Sequence, residues 1–459
     1  MHASVWVIVL VTVLPIVACG GDGTSPGDSG APDTGSDVKT DASSDSGSDA
    51  SDAAANDAGD AGSTTYNDLT QAANWTGYDL GALRDNSGAT FDGRYVYFAS
   101  LNATGTVTRY DTQASFTTGA SWTTFDATTV NANARGFWGA AFDGRYVYLV
   151  PNSYNGTPHG TVTRYDTQAP FGTAGSWSTF DTTSLSANAK GFVGATFDGR
   201  YIYFVPYAYG TTVDSISGLV ARYDTKAAFG SAASWSTFDA TTVNAHAEGF
   251  WGAVFDGRYV YFVPRSTDVT IPSFATRYDT QAAFTSAGSW SAFDTTTVNA
   301  GAKLFQSGAF DGRYVYFVPI SSDGAASDGM VTRYDTQGAF GNGSSWSTFA
   351  TTALNANARG FAAAAFDGRY VYFVPDDVYQ VGLVGIVPRY DTLASFSAAA
   401  SWSTFDITTA SSNAKGFGAA VFDGRYLYFA PAGLSTVARF DAKSPPSMPS
   451  LPAFFGSFF

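Results

Sequence analysis

Cysteine, histidine and glutamate are nearly absent from this chain of 459 residues, which contains one Cys, three His and a single Glu. One cysteine cannot form a disulfide within the chain, so a disulfide-stabilised scaffold is excluded. The histidines His2, His159 and His246 are too scattered for a histidine-rich metal site, and Glu248 has no glutamate partner for acid–base catalysis. We therefore expect neither a metal nor a cofactor.

Basic residues are also few, since 24 Lys and Arg face 39 Asp and Glu, for a formal charge of −15. Nucleic-acid binding requires a basic surface that neutralises phosphates. The composition therefore argues against nucleic acid as a partner.

The only long apolar run, residues 3–18, is shorter than the roughly 20 residues that a membrane-spanning helix needs. We interpret residues 1–18 as a signal peptide. The run ends Ile16-Val17-Ala18-Cys19-Gly20, which resembles the lipobox of bacterial lipoproteins. This resemblance implies that Cys19 is lipidated and holds an exported protein in a bacterial membrane, at the outer membrane or cell surface. The alternative is a buried free cysteine in an ordinary helix.

The next segment, residues 19–63, consists mainly of Gly, Ser, Asp, Ala and Thr, with ten Asp against one Lys and no aromatic residue. Such a composition buries too little apolar surface to fold, which predicts a disordered tether. Most of the net negative charge belongs to this tether. Its aspartates lack the regular spacing of a calcium-binding loop.

The remainder of the chain is a sevenfold repeat, which three short strings mark. The string Phe-Asp-Gly-Arg-Tyr begins at Phe91, Phe142, Phe197, Phe255, Phe310, Phe366 and Phe422. The string Arg-(Tyr/Phe)-Asp begins at Arg109, Arg164, Arg222, Arg277, Arg333, Arg389 and Arg439. A tryptophan string begins at Trp75, Trp122, Trp177, Trp235, Trp290, Trp346 and Trp402.

Each repeat is predicted to form four strands, named A to D in chain order. In the second repeat they cover residues 139–142, 145–150, 161–166 and 177–180. Asp143-Gly144 predicts a type I′ hairpin turn between A and B, with positive φ at both residues. Strand B is apolar or aromatic on both faces, as in a sheet packed between two others.

Small residues in strand A, such as Gly139 and Ala140, indicate that the A strands converge. Four-stranded sheets that taper toward an axis are the blades of a β-propeller, so we predict an all-β, seven-bladed propeller over residues 74–441. The strand at Trp75 precedes the first A strand, and the last repeat lacks a D strand. We therefore expect the N-terminal strand to complete the seventh blade and close the ring. A solenoid of the same units is the alternative.

The strings Phe-Asp-Gly-Arg-Tyr-Val-Tyr-Phe and Val-x-Arg-Tyr-Asp resemble repeats of the NHL, YVTN and Kelch-like propeller superfamilies over about residues 74–441. The Kelch diglycine, the WD dipeptide and the sialidase Asp-box are missing. What the resemblance implies is a binding or scaffolding platform, because a fold alone carries no chemistry.

Two charged positions recur in the repeat. The Arg that opens strand B and the Asp that ends strand C, such as Arg94 and Asp111, are expected to form a cross-strand ion pair in every blade. The alternative is a ring of anion-binding arginines on that face. The strand-B tyrosines are interpreted as packing residues.

Seven residues before each Phe-Asp-Gly, the turn from strand D into strand A carries a cation in six repeats. These residues are Arg84, Arg135, Lys190, Lys303, Arg359 and Lys415, and Glu248 stands in the fourth repeat. We expect this cationic ring to circle the channel mouth, where it would attract an anionic ligand such as a uronic acid or a phosphorylated glycan. The alternative is pairing with strand-D aspartates such as Asp126, Asp181 and Asp294.

Irregular positions near the same face add candidates for recognition. Trp138 and Trp251 occur in only two repeats, either as ligand-stacking groups or as core. The loops from strand B to strand C vary most, and variable loops on a rigid scaffold commonly carry recognition. They contain Tyr154, His159, Tyr207, Tyr209, Asp376 and Tyr379.

Three functions remain open on this evidence. The first is an envelope-anchored binding module for a glycan or protein at the channel mouth. The second is a polysaccharide lyase or hydrolase, for which His246 and Glu248 are the only weak catalytic candidates. The third is a purely structural envelope protein. The Pro- and Phe-rich tail, residues 442–459, is expected to pack against the propeller.

Overall fold

The computed structural model describes residues 64–81, 86–101, 104–212, 215–265, 272–320, 329–378 and 380–449. Their strands form seven four-stranded antiparallel sheets, each ordered A-B-C-D. We number the sheets as blades 1 to 7 by the position of strand A in the chain. The all-β propeller prediction is confirmed.

The strand bounds repeat closely from blade to blade. The A strands are Asn86–Phe91, Phe137–Phe142, Phe192–Phe197, Phe250–Phe255, Phe305–Phe310, Phe361–Phe366 and Phe417–Phe422. The B strands are Tyr95–Ser100, Tyr146–Pro151, Tyr201–Pro206, Tyr259–Pro264, Tyr314–Pro319, Tyr370–Pro375 and Tyr426–Pro431. The C strands are Thr106–Asp111, Thr161–Asp166, Leu219–Asp224, Phe274–Asp279, Met330–Asp335, Ile386–Asp391 and Thr436–Asp441. The D strands of blades 1 to 6 are Trp122–Asp126, Trp177–Asp181, Trp235–Asp239, Trp290–Asp294, Trp346–Ala350 and Trp402–Asp406, and Trp75–Asp79 serves blade 7.

Short elements flank these strands. Single 3₁₀ turns precede the D strands at Ala72–Asn74, Gly119–Ser121, Ala174–Ser176, Ala232–Ser234, Ala287–Ser289, Gly343–Ser345 and Ala399–Ser401. Others follow them at Ala127–Thr129, Thr182–Ser184, Ala240–Thr242, Thr295–Thr297, Thr351–Ala353 and Ile407–Thr409. Two-stranded ribbons join Ser153–Tyr154 to Thr157–Pro158, Asp377–Val378 to Gly382–Leu383, and Thr65–Tyr66 to Lys443–Ser444.

The turn between strands A and B depends on the side chain of its aspartate. In blade 1, Asp92 Oδ1 accepts hydrogen bonds from the backbone N–H groups of Arg94 and Tyr95, and Oδ2 accepts one from the Tyr97 hydroxyl. Gly93 has φ +99, and the described aspartates of this turn lack positive φ. The predicted type I′ geometry is therefore wrong. Asp92 is the first residue of the four-residue turn and Gly93 is the first of its two central residues. Positive φ at the first central residue alone is typical of a type II′ turn.

The A strands form a ring around the axis, in which each contacts the next and the seventh contacts the first. Their small residues are required by this approach, since a Cβ added to Gly88 would lie 2.7 Å from the Cα of Gly139. A closed ring excludes the solenoid alternative. Strand A begins at Phe137 in blade 2, two residues before the predicted start, because its first residues pair with the end of strand B at Pro151.

A strand-C arginine joins each blade to the next. The guanidinium carbon of Arg109 lies 4.2 Å from the ring centroids of Tyr95, in its own blade, and Phe171, in blade 2. Its Nη1 donates to the Tyr165 hydroxyl of blade 2 at 3.4 Å. Cation–π contact and hydrogen bonding together therefore fix the angle between neighbouring blades.

The strand-B arginines form the predicted ion pairs in all seven blades, at N–O distances of 2.7 to 2.8 Å. Each pair lies across strands B and C, as Arg94 and Asp111 do. Because the arginine side chains are 37 to 54% exposed, each pair contributes only about 0–1 kcal/mol.

The N-terminal strand completes blade 7 as expected. Trp75–Asp79 pairs antiparallel with Thr436–Asp441, so that Trp75 lies opposite Phe440. The Trp75 indole donates to the carbonyl of Leu69, and its ring packs 4.7 Å from Phe440 and 5.5 Å from Phe429. The described part of the tail adds to this closure, since Ser447 donates its N–H to the Gly424 carbonyl.

Trp75→Ala should lower the free energy of unfolding by about 3–5 kcal/mol, because it leaves a cavity where the N-terminal strand completes blade 7. Deleting residues 64–79 should expose the edge of Thr436–Asp441 and cause aggregation. Urea denaturation and light scattering measure these effects. Leu393→Ala, at a side chain that is 81% exposed, is the control and should change neither. A monomeric deletion variant with an unchanged melting temperature would refute closure by this strand.

Candidate functional site

The D–A turns and the B–C loops form one face of the propeller. In blade 2 the N–H of Asn152, just after strand B, donates to the carbonyl of Gly136 in the D–A turn. Gly136 has φ +63, and a Cβ there would lie 2.1 Å from the Ser153 carbonyl oxygen. The two loops can pack this closely only because the D–A turn ends in glycine.

The predicted cationic ring lies on this face where the structure describes it. Arg84 lies outside the described residues. The others, Arg135, Lys190, Lys303, Arg359 and Lys415, are half-buried in their D–A turns, as is Glu248. The Arg135 guanidinium stacks 3.6 Å from the ring centroid of Tyr154 in the adjacent B–C loop.

The strand-D aspartates Asp126, Asp181 and Asp294 form no ion pair with those cations that the structure describes. Within the described ranges, every ion pair joins a strand-B arginine to a strand-C aspartate. Asp126 and Asp181 instead accept hydrogen bonds from Thr128 and Thr183, and so begin the 3₁₀ turns that follow strand D.

Trp138 and Trp251 contact each other at the channel-mouth ends of the A strands. They occupy the second position of strand A in blades 2 and 4, and their ring centroids lie 5.8 Å apart in an edge-on arrangement. Blade 3 lies between blades 2 and 4, so this contact passes strand A of blade 3. Tyr207 of blade 3 packs against Trp251 at 4.2 Å. The two tryptophans therefore narrow the mouth of the channel.

Charged and amide groups complete this arrangement. Arg265, the residue after strand B in blade 4, stacks 3.6 Å from the ring centroid of Trp251 and donates to the Gln306 amide oxygen of blade 5. Asp376 has the same position in blade 6. We call Trp138, Tyr207, Trp251, Arg265, Gln306 and Asp376 the channel-mouth cluster.

Burial raises the pKa of Asp376 to about 8. The neighbouring Asp377 acts in the same direction, and the positive charge of Arg265 opposes both. Asp376 is 2% exposed, so its charged form has lost nearly all of its hydration. At neutral pH the folded protein therefore holds this carboxyl mainly in the protonated form.

Three polar atoms of the cluster are buried without a hydrogen-bond partner in the described part of the chain. They are Asp376 Oδ1 and the indole N–H groups of Trp138 and Trp251. A buried polar group without a partner costs about 1–3 kcal/mol. Three such groups beside one axis indicate a place where a ligand or ordered water completes the hydrogen bonds.

The cluster includes residues that the sequence did not single out. Trp138 and Trp251 were candidates, and Tyr207 and Asp376 belong to the variable B–C loops, whereas Arg265 and Gln306 were missed. One signal could have found Arg265, since the residue after the strand-B proline differs in every blade: Asn152, Tyr207, Arg265, Ile320, Asp376 and Ala432 in blades 2 to 7. Only the ring brings these positions together.

The weak catalytic candidates lie in the D–A turn that opens blade 4. The His246 ring is exposed and stacks 6.0 Å from Phe274. Burial raises the pKa of Glu248, and the nearby His246 opposes this effect. His159 is half-buried in the blade 2 loop, where loss of hydration lowers its pKa and its Nδ1 accepts the N–H of Thr161.

The opposite face, formed by the A–B turns and C–D loops, has grooves between blades. A groove of about 550 Å³ between blades 1 and 2 is lined by Arg94, Arg109 and Tyr165, and one of about 420 Å³ between blades 5 and 6 has the equivalent lining. These are the residues that join neighbouring blades. We therefore assign the grooves to the architecture.

Neither a metal centre nor a membrane span is evident in the described ranges. They contain no group of three or more His, Cys, Asp or Glu side chains placed to hold a metal ion. No helix within them is long and apolar enough to cross a membrane. Cys19 and the predicted signal peptide and tether lie outside these ranges.

Comparison with known proteins supports the fold of this chain but does not assign it to a family. No protein-family model matches the chain, and no curated protein matches it. A catalytically inactive virginiamycin B lyase from Staphylococcus aureus, solved with quinupristin, aligns over 80% of this chain and 99% of its own, with 12% identity and a TM-score of 0.53. The WD40 repeats of RRP9 align over 81% and 98%, with 8% identity and a TM-score of 0.50. Likeness at this identity supports the propeller fold, and the NHL, YVTN or Kelch-like assignment of the repeats stays a prediction.

Asp376→Asn should change how stability depends on pH. The pKa of Asp376 is near 4 when unfolded and about 8 when folded, so the unfolded carboxyl loses its proton first. Stability of the wild type should therefore fall as pH rises through this window, by up to about 1.4 kcal/mol per pH unit from this residue. The variant lacks this contribution and should gain stability relative to wild type between pH 5 and pH 8. Urea titrations of both proteins at pH 5 and pH 8 measure this. An equal difference in unfolding free energy between variant and wild type at the two pH values would contradict the raised pKa of Asp376.

Proposed function

We propose that this protein is a binding module anchored in a bacterial cell envelope, which holds a glycan or protein ligand at the D–A and B–C face around the channel mouth. The propeller fold supports a binding or scaffolding role in general terms. The observation that carries the proposal is the channel-mouth cluster, with its three buried polar atoms that have no partner.

The contrast between the cluster and the rest of the propeller supports a role in recognition. The repeated A–B turns satisfy their polar groups internally, as the half-buried Asp92 carboxylate is by two N–H groups and a tyrosine hydroxyl. Some strand-C hydroxyls, those of Thr108, Thr163 and Thr332, are also buried without a partner in the described part of the chain. The channel-mouth groups differ from blade to blade and leave hydrogen bonds unmade.

The half-buried cations of the D–A turns, from Arg135 to Lys415, support attraction of an anionic ligand to the same face. Positive side chains around a low-dielectric opening raise the local concentration of anions. These cations are not members of the channel-mouth cluster and would contact other parts of the ligand.

The path of the chain suits an anchor at Cys19. The first described strand, Thr65–Tyr66, lies at the A–B turn face, where Tyr66 packs 5.5 Å from Tyr370. The chain therefore leaves the propeller on the face opposite the channel mouth. An anchor attached through residues 19–63 leaves the channel mouth free to face a ligand.

A second candidate function is a polysaccharide lyase or hydrolase, and the Asp376 carboxyl is the observation that favours it. A carboxyl with a pKa of about 8 can donate or accept a proton near neutral pH, as general acid–base catalysis requires. Arg265 would then stabilise developing negative charge. A screen for sugar release or for unsaturated products with wild type and Asp376→Asn tests it: activity lost in the variant supports an enzyme.

Binding is tested on a glycan array and on immobilised cell-envelope extract, with wild type and with Trp138→Ala. Removing this ring should weaken binding at least tenfold, because it lines the channel mouth. Replacing Lys190 and Lys415 together by Gln should weaken binding of anionic glycans and reduce its dependence on salt. Leu393→Ala should bind like wild type. Equal binding by Trp138→Ala and wild type would exclude the channel mouth as the site.

Cys19→Ser should release the protein from membranes. The cysteine is the only one in the chain, so the lipid would have no other attachment. Fractionation of cells that express each form, with mass spectrometry of the mature N-terminus, measures both location and lipidation. A soluble wild type with an unmodified N-terminus would overturn the anchor and leave the binding proposal standing.

A further inference from the structure

The chain covers one of its own inter-blade grooves, the one between blades 6 and 7, with its N-terminal segment. The ring of Tyr66 packs edge-on 5.5 Å from the ring of Tyr370, which opens strand B of blade 6, and lies 5.8 Å from the guanidinium carbon of Arg369. The backbone carbonyl of Asn67 accepts a 2.8 Å hydrogen bond from Arg389 Nη1. Arg389, the strand-C arginine of this groove, is consequently only 8% exposed.

A lysine from the other end of the repeat region lies beside this tyrosine. Lys443 is directly opposite Tyr66 in their two-stranded ribbon and is 2% exposed. Its ammonium lies 5.5 Å from the Tyr66 ring centroid and donates a 2.7 Å hydrogen bond to the carbonyl oxygen of Asp367, in the A–B turn of blade 6. This groove therefore accommodates an aromatic ring and an ammonium group side by side.

The grooves between blades 1 and 2 and between blades 5 and 6 keep the same surface open. The lining residues that correspond to Asp367, Arg369 and Tyr370 are Asp92, Arg94 and Tyr95 in one groove and Asp311, Arg313 and Tyr314 in the other. Their volumes of about 550 and 420 Å³ exceed that of a tyrosine side chain. Their strand-C arginines, Arg109 and Arg333, are half-buried, whereas Arg389 is covered.

The carbonyl oxygen that Lys443 contacts in the covered groove also has counterparts in the open ones. No group in the described ranges donates a hydrogen bond to the carbonyl oxygens of Asp92 and Asp311. These two oxygens can therefore accept a hydrogen bond from a ligand, as Asp367 does from Lys443.

Arginines in the grooves do not exclude an ammonium group, because carboxylates offset their charge. In the covered groove Arg369 forms an ion pair with Asp391 at 2.7 Å. Burial lowers the pKa of Lys443, and the nearby Asp367 opposes this effect. The strand-B arginines of both open grooves form the same ion pair. An ammonium group that enters an open groove therefore meets the same set of charges as Lys443.

We infer that the open inter-blade grooves bind an extended polypeptide segment of a partner protein, which presents a tyrosine ring and a lysine ammonium on one face. In an extended segment residues i and i+2 point to the same side, so the sequence Tyr-x-Lys brings the two groups together. The tyrosine packs against Tyr95 or Tyr314, and the lysine donates to the carbonyl of Asp92 or Asp311. These grooves lie on the face opposite the channel mouth, so the inference does not depend on the proposed function.

A photoreactive peptide locates the site. The probe is Gly-Ser-Tyr-Thr-Lys-Ser-Gly with benzoylphenylalanine in place of its tyrosine, and mass spectrometry maps its crosslinks to the full-length protein. Crosslinks should include residues 92–95 and 311–314. In Tyr66→Ala, which uncovers the groove between blades 6 and 7, they should also appear at residues 367–370. Crosslinks confined to the channel-mouth face, or identical maps for wild type and Tyr66→Ala, would overturn the inference.

Filling one groove provides an internal control. Ala394 lines the groove between blades 5 and 6 and is exposed, so Ala394→Trp should block this groove without disturbing the core. The variant should lose the crosslinks at residues 311–314 and keep those at residues 92–95. Leu393→Ala, at the neighbouring position, should keep both sets. Crosslinks at residues 311–314 that persist in Ala394→Trp would show that the peptide lies outside the groove.

Affinity measurements separate the contributions of ring and charge. The peptide with its tyrosine is immobilised, so that a protein with several open grooves binds with avidity, and binding is followed by biolayer interferometry. Replacing the peptide tyrosine by alanine should weaken binding at least tenfold, because the aromatic contact is lost. Replacing its lysine by glutamate should weaken binding as much, because a carboxylate cannot donate to the turn carbonyl. Equal binding of the three peptides, or binding of none, would refute recognition of this pair of side chains.

Discussion

Pairing of Trp75–Asp79 with Thr436–Asp441 is the interaction on which the rest of this structure depends. It joins two segments from opposite ends of the repeat region and turns a linear series of sheets into a ring. A closed ring has no exposed terminal sheet edge, and it brings seven A strands around one axis. The channel mouth exists only because of this closure, since its residues belong to blades that are far apart in sequence.

The regular part of the repeat builds rigid blades and joins them. The aspartate of each A–B turn accepts hydrogen bonds from two backbone N–H groups and a tyrosine hydroxyl, as Asp92 does, and a strand-C arginine such as Arg109 stacks on one ring of its own blade and one of the next. These groups satisfy one another, so the conserved chemistry of the repeat is used within the architecture. Positions that differ between blades are therefore free to vary, and they lie at the ends of strands A and B that face the channel mouth.

Two kinds of positive charge serve different purposes here. Strand-B arginines such as Arg94 pair with aspartates at the surface, where water screens the attraction. Arg265 is buried against Trp251, close enough to Asp376 to lower its pKa, and yet burial still raises that pKa to about 8. Loss of hydration therefore outweighs the attraction of Arg265 at Asp376.

The sequence by itself determined the blades: seven copies of three strings predicted four strands each, and the unmatched strand at Trp75 predicted ring closure. It also predicted the strand-B ion pairs, because a period of two residues and a hairpin fix which side chains face each other. The turn type was predicted wrongly, because the hydrogen bonds from the aspartate side chain to the backbone place Asp before the two central residues of the turn. The sequence does not show these hydrogen bonds. The sequence identified Trp138 and Trp251 as irregular, yet their contact over the axis was decided by tertiary structure alone. Arg265, Gln306 and Asp376 are distant in the chain, and only the curvature of the closed ring brings them to the same face as those tryptophans.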